Sequence, residues 1–374
     1  MKTLVCLLAL SVCSFAGVSV SSPGNNSGDS SPVHFVAKAT TSCPSGVSAM
    51  GIYTAPYVLA YKVSGSSLNM YLPLAAGTYN TEVQEWDKCG GASKTPITIT
   101  VSGGATTMTT TMSTVPASSH VFIVMEENHS YSSVIGNSSM PYLNSLASKY
   151  GLATQYYANT HPSIGNYFML TAGQVITNND SLCSTLTQDN VVRHLLTAGK
   201  TWKAYAQSLP YAGYTGCGVY PYAKKHNPLA YFSDVANSSE KYNLVPFSKF
   251  PSDLANHTLP EYSFIVPDLL HDAHDGSLSA ADSWLKSNIA PLIASTTFQK
   301  DGILMIVFDE SFDTDTQHGG GHVVAVVIGP HVLSGHKSTT LYQHQNTLKT
   351  LMKALVLSSF PGAAGSATSM SDFF

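Results

Sequence analysis

The residues best suited to chemistry are acids that follow short apolar runs. Val121 to Met125 leads into Glu126-Glu127-Asn128, and Phe264-Ile265-Val266 leads into Asp268, with His271, Asp272, His274 and Asp275 close behind. Ile303 to Phe308 leads into Asp309-Glu310. Carboxylate and amide oxygens gathered in one place suit a hard divalent cation, with Mg²⁺, Ca²⁺ or Mn²⁺ favoured and Zn²⁺ possible. Acids crowded together without a cation repel one another. One acidic strand end means little, whereas three converging on one edge point to a site. Glu126 or Glu127 alone reads as a solvated loop charge, and only one need face inward. Glu127 beside Asn128 is the expected ligand and Glu126 a bystander.

A second feature is Thr160-His161-Pro162-Ser163-Ile164-Gly165-Asn166-Tyr167, which runs into a helix starting just after Ser163. A serine there has two readings. It caps the helix, the commoner use, or it is a nucleophile whose helix N-terminus also steadies an anion. Spacing alone does not choose.

These residues need a frame. From His120 onward, continuous apolar strands alternate with helical segments at Pro141–Lys149, Val191–Ala198, Ala280–Ile293 and Leu348–Leu357, so a mostly parallel sheet covered on both faces is expected. Ligands of such sheets bind beyond the carboxyl ends of the strands, where the acids lie. Residues 33–101 read differently, as short alternating strands (His34–Lys38, Tyr57–Val63, Asn69–Leu72, Thr78–Trp86, Ile97–Val101) of a small immunoglobulin-like β-sandwich with Trp86 in its core. Residues 102–119, rich in Ser, Thr and Met, read as a linker and 120–374 as the catalytic domain.

Residues 1–16 carry Lys2, an apolar run from Leu4 to Val12 and Ser14-Phe15-Ala16, the pattern of a cleaved export signal. A disordered Ser/Gly/Asn tail is expected over 17–32, and no integral membrane segment. The expected location is secreted or periplasmic. Cys43, Cys89, Cys183 and Cys217 follow the signal and allow three pairings, of which domain order favours Cys43–Cys89 and Cys183–Cys217. Among 374 residues, 18 Lys+Arg against 22 Asp+Glu leave no basic field for nucleic acid. Oligomeric state is not readable.

Glu126-Glu127-Asn128-His129-Ser130, His161-Pro162-Ser163 through Asn166-Tyr167, Asp272-Ala273-His274-Asp275 and Asp309-Glu310-Ser311 occur in this order. Together they resemble the secreted acid phosphatase and phospholipase C type phosphoesterase family of the alkaline phosphatase superfamily. The resemblance runs from about Ser119 to the C-terminus and includes bacterial phosphatidylinositol-3-phosphatase-like acid phosphatases. It implies an alkaline-phosphatase-like α/β/α sandwich and Ser163 as nucleophile. Glu127, Asn128, Ser163, Asp309 and Glu310 fall at the metal ligands, and Asn166 at a phosphate-binding asparagine. It further implies His274 as phosphate contact or proton donor, with His322, His226 and His271 in supporting catalytic roles, His322 also on phosphate. Asp268, His271 and His322 sit where two-zinc relatives have a second metal, but that set looks incomplete, so one cation is expected. His161 is expected only to brace its turn. Gly165 replaces the family's usual proline, which is expected to loosen the loop, and Gly319-Gly320-Gly321 is expected to let backbone approach a ligand. The implied reaction is hydrolysis of phosphate monoesters of small molecules or lipid headgroups through a phosphoserine, best below neutral pH where imidazolium is populated. Phospholipase C type diester cleavage is the near alternative, and an inactive surface-binding protein a remoter one.

Overall fold

The computed structural model describes residues 17–55, 58–72, 74, 76–102 and 114–374. The expected export signal lies outside the described residues, as does 103–113 of the expected linker. The chain divides into two compact units, Met1–Thr109 and Thr110–Phe374.

Among the described residues of the first unit eight strands follow one another: β1 (Gly17–Ser22), β2 (Ser27–Ser30), β3 (Val33–Thr40), β4 (Val47–Ala55), β5 (Val58–Ser64), β6 (Ser67–Leu72), β7 (Gly77–Asp87) and β8 (Ala92–Ser102). They form a three-stranded sheet in the order β1-β3-β6 and a five-stranded sheet in the order β2-β8-β7-β4-β5. Period-two alternation turns Val33, Phe35, Ala37 and Ala39 inward. There they join Met50, Ile52, Val83, Ile97 and Ile99 in one core. Residues 17–32 are not a disordered tail. Val18 and Val20 pack on that core, and β2 pairs in parallel with the end of β8. Edge strands need few apolar residues, so the Ser/Gly/Asn composition concealed them. Trp86 is only partly buried, with Lys62 Nζ 5.0 Å above its ring, rather than a core residue. Cys43 and Cys89 are bonded.

The second unit continues with β9 (Val121–Glu126), β10 (Gly151–Ala153), β11 (Tyr156–Tyr157), β12 (Trp202–Ala206), β13 (Leu244–Pro246), β14 (Tyr262–Val266), β15 (Ile303–Phe308), β16 (Ala325–Ile328), β17 (His336–Ser338) and β18 (Tyr342–Gln343). Eight of these make one sheet in the order β13-β12-β14-β9-β15-β16-β10-β17. The first five are parallel, and β16 runs against β15 and β10. Every residue of β9, β14, β15 and β16 is buried. That is why these runs lack the alternation seen in the first unit.

The topology explains the convergence of the acids. β14, β9 and β15 are adjacent and parallel, in a register that pairs Ile265 with Val124 and Phe308 with Glu126. Their carboxyl ends therefore deliver Asp268, Glu127 and Asp309 to one edge. The helix Ser163–Ala172, buried along its whole length, brings the serine to that edge.

Candidate active site

Ser163 is the first residue of its helix, and Pro162 occupies the cap position without a side-chain bond. The capping reading therefore fails on geometry. Instead the buried hydroxyl is aimed at acids: Oγ lies 3.0 Å from Glu310 Oε1, 3.3 Å from Glu127 Oε2 and 3.5 Å from Asn128 Oδ1. Asn128 has φ 48°, a left-handed conformation that asparagine tolerates better than most residues. This turn lets its backbone N–H donate to Asp309 Oδ1 at 3.1 Å. Glu127, Asn128, Ser163, Asp309 and Glu310 are thus brought together as the sequence implies.

Several polar atoms of this group lack an ordinary partner. Asn128 Oδ1 faces only acceptors, and the amide is satisfied in the protein alone only by turning over, so that its nitrogen donates to Glu310 Oε1 and Glu127 Oε2, each at 3.2 Å. Asp309 Oδ2 is buried with no hydrogen-bond partner among the described residues. Burial pushes the Glu127 carboxyl well above its ordinary range, and the charges of Asp309 and Asp272 push it further. Glu310 is raised to about 9, by burial first and then by Asp309. Buried carboxylates cannot all ionise without a counter-charge. Five oxygen-bearing residues fit a hard divalent cation, which would satisfy the amide oxygen, the Asp309 oxygen and the charge together.

Around this core lie residues the sequence did not assign. Tyr167 donates its hydroxyl to Glu127 Oε1. Tyr167 is four residues after Ser163, so both face one side of the helix, and that spacing was a usable signal. His161 does more than brace the turn: its Nδ1 lies 2.6 Å from Glu310 Oε2 while Nε2 meets the Asp315 carbonyl at 2.9 Å. Since Nε2–H must donate to the carbonyl, one proton is shared between Nδ1 and Glu310. Glu126 is fully buried rather than a solvated charge: desolvation pushes its carboxyl well above the ordinary range, and neither oxygen has a hydrogen-bond partner among the described residues.

The histidines divide. His226 is buried with Nε2 3.4 Å from Glu127 Oε2 and Nδ1 3.3 Å from Asp272 Oδ2. Its ring stacks on Tyr167 with centroids 5.1 Å apart. Burial pushes its pKa down to about 3, so it is neutral and suited to accept or ligate rather than to act as an acid. His274 is partly exposed, with Nδ1 held by Asp275 Oδ1 at 2.7 Å. Ligand atoms of Glu127, His226 and His274 lie within 4.8 Å of one another, which makes this trio a further place where a cation fits. The other two histidines do not join this group. His271 binds Asp268 Oδ1 at 2.7 Å. His322 stacks on Tyr131, with centroids 4.3 Å apart, and its Nε2 meets the Thr154 carbonyl at 3.0 Å. Those bonds occupy it structurally.

Asn166 also departs from expectation. Its Oδ1 accepts from the backbone N–H groups of Asn159 and Thr160, at 2.9 and 3.2 Å, and its Nδ2 donates to the Thr160 carbonyl at 2.8 Å. The side chain staples the loop before Ser163 rather than reaching a phosphate. Gly165 does not loosen that loop. A Cβ there would meet Asn178 Oδ1 at 2.4 Å and Thr160 Cγ2 at 2.5 Å, so glycine permits a close approach. Likewise a Cβ on Gly319 or Gly320 would strike the Asn159 or Thr160 carbonyl, at 2.0 and 2.4 Å. The glycine run clamps the serine loop and is not an opening to ligand.

The sequence profile of the phosphoesterase family matches residues 137–358, more than half of the chain and including Ser163, Asp309 and Glu310. The chain belongs to the phosphoesterase family. As a phosphoesterase it is a hydrolase of phosphate esters. It is 36% identical over 241 residues to a Mycobacterium tuberculosis phosphatidylinositol-3-phosphatase, covering 64% of this chain and 77% of that one. It is 32% identical over 243 residues to an Aspergillus fumigatus acid phosphatase, covering 62% of this chain and 53% of that one. The matched part is thus about half the length of that fungal relative. A solved Bacteroides thetaiotaomicron protein, described with that organism's metabolism of glycosaminoglycans, superimposes with a TM-score of 0.50 at 10% identity over 68% of this chain and 81% of the other. That likeness concerns the fold alone, an α/β arrangement around a mostly parallel sheet.

Proposed function

We propose that this phosphoesterase hydrolyses phosphate monoesters through a phosphoserine on Ser163. The observation that carries the reading is the Ser163 hydroxyl at a helix start, ringed by oxygens of Glu127, Asn128 and Glu310. Glu127, Asn128, Ser163, Asp309 and Glu310 would hold one hard cation, whose chemistry when bound is to lower the serine pKa and withdraw charge from a phosphoryl oxygen. The protein's own residues do the rest. Glu310, ionised when the shared proton rests on His161, takes the serine proton as Ser163 Oγ bonds to phosphorus and the bond to the leaving oxygen breaks, and returns it to Oγ when the phosphoserine is cleaved. His274, at the partly exposed side of the cluster, gives a proton to that leaving oxygen and takes one back from the water that cleaves the phosphoserine. His226, neutral between Glu127 and Asp272, keeps Glu127 in place.

The monoester preference, extended to inositol-lipid headgroups, draws support from the name of the mycobacterial relative. Disulfides Cys43–Cys89 and Cys183–Cys217 support an extracytoplasmic location. Among the described residues no helix is long and apolar enough to cross a membrane. The test is to quench the enzyme during turnover of an aryl phosphate and map phosphorylation by mass spectrometry. Phosphate on the peptide containing Ser163, absent from Ser163→Ala, is expected. Full turnover by Ser163→Ala would refute the reading.

A further inference from the structure

Two adjacent lysines near the serine are used in opposite ways. Lys224 is 3% exposed, and its Nζ donates to the carbonyls of Cys183 and Thr215, each at 2.8 Å. It ties together the two loops that the Cys183–Cys217 bond also joins. Among the described residues Lys225 has one partner: its Nζ lies 2.7 Å from Asp180 Oδ2. An ammonium group carries three donors, so two remain without a protein acceptor among the described residues. Asp180 spends its other oxygen on the serine helix, where Oδ1 accepts from Ile164 N–H at 3.2 Å. The pair is therefore anchored to the residue next to Ser163.

Lys225 and Asp180 are also among the residues that line a groove of about 330 Å³. Leu182, the Cys183–Cys217 disulfide, Tyr220, Tyr222 and Leu269 line the rest. Lys225 remains partly open to this space, with 20% of its side chain exposed.

We propose that Lys225, held by Asp180, binds the phosphoryl group of the ester, and that the groove beyond it receives an apolar or aromatic alcohol portion. This rests on the Ser163 reading above. A monoester dianion entering a centre built of carboxylates needs cationic partners. A fixed ammonium with two spare donors meets it as a point charge. A diester presents one negative charge and one fewer free oxygen, so it gains less from the same lysine. Lys225 with Asp180 is thus a discriminator of monoesters from diesters.

The experiment compares p-nitrophenyl phosphate, glycerol phosphate and bis(p-nitrophenyl) phosphate in the wild-type enzyme and in Lys225→Met, Lys225→Arg and Tyr220→Ala. For Lys225→Met, KM for both monoesters is expected to rise about tenfold or more, with a change under threefold for the diester, and Lys225→Arg to recover part of the loss. Inorganic phosphate should weaken as a competitive inhibitor in parallel. Tyr220, 64% exposed, can change without disturbing the core, and Tyr220→Ala should lower the preference for the aryl over the glycerol monoester. Equal losses on monoester and diester, or unchanged phosphate inhibition, would overturn the proposal. Wild-type turnover that survives Ser163→Ala would instead overturn the reading beneath it, so the two failures are separable.

Discussion

Ser163 Oγ lies 3.0 Å from Glu310 Oε1, and the other Glu310 oxygen lies 2.6 Å from His161 Nδ1. Glu310 therefore links the hydroxyl to an imidazole that is itself fixed by the Asp315 carbonyl. A serine so linked has somewhere to send its proton. Removing the hydroxyl in Ser163→Ala should lower kcat by about 10³-fold or more, as for other nucleophiles that act as part of a unit. His161→Asn, which leaves Glu310 without its aligned partner, should lower kcat by about 10- to 100-fold through lost proton transfer. Steady-state kinetics on an aryl phosphate, with melting temperatures to confirm folding, decide both.

Asn166 carries a different expectation. Its amide satisfies three backbone groups of the loop that precedes Ser163. Asn166→Ala would leave the partly buried N–H groups of Asn159 and Thr160 without this partner, at a cost of up to about 1–3 kcal/mol. If the side chain braces the loop, kcat should fall while inhibition by inorganic phosphate is nearly unchanged. A large loss of phosphate affinity at constant stability would return Asn166 to the phosphate-binding role the family pattern implies.

The parts of the site that were legible in the sequence share a physical cause. Acids after buried strands can be read because parallel strands must be apolar throughout and end abruptly, so Glu127 and Asp309 announce themselves. Strand adjacency cannot be read so directly. β14, β9 and β15 lie side by side through long crossovers, and only the fold shows Asp272 and His226 meeting Glu127. Residues whose role depends on rotamer are the ones the sequence alone does not place. Asn166 and His322 occupy family positions, yet their polar atoms are engaged by Thr160 and Thr154. In the first unit, β1 and β2 were missed because edge strands carry little of the apolar signal on which alternation depends.

Cys183–Cys217 closes a loop with a sequence separation of 34 and borders the groove at Lys225. Chain-entropy arguments give such a link about 3–4 kcal/mol. Replacing both cysteines by alanine should therefore lower the urea midpoint, and should raise KM for an aryl monoester more than for glycerol phosphate. Lys224, bonded to carbonyls on both sides of the link, should hold the loops loosely in place, so kcat should change little.

Stability should depend on pH in opposite ways with and without a divalent cation. Glu310, raised to about 9, and Asp272, raised to about 7 by burial, keep their protons in the folded cation-free protein at pH values where the unfolded chain has lost them. The native state then binds more protons than the unfolded state, so stability falls as pH rises. His226, depressed to about 3 by burial, acts in the other direction, but only as pH falls below about 6.5, where the unfolded imidazole gains a proton. Between pH 6.5 and 9 the carboxyls therefore dominate, and the melting temperature of chelator-treated protein should decline. A cation needs ionised ligands and expels their protons, so its stabilising effect grows with pH. Thermal melts at pH 6.5, 7.5 and 8.5, with chelator or with millimolar Mg²⁺, Ca²⁺ or Mn²⁺, should give two diverging curves. Asp309→Asn should collapse the difference between them, whereas parallel curves for the unaltered protein would mean that these buried acids hold no cation.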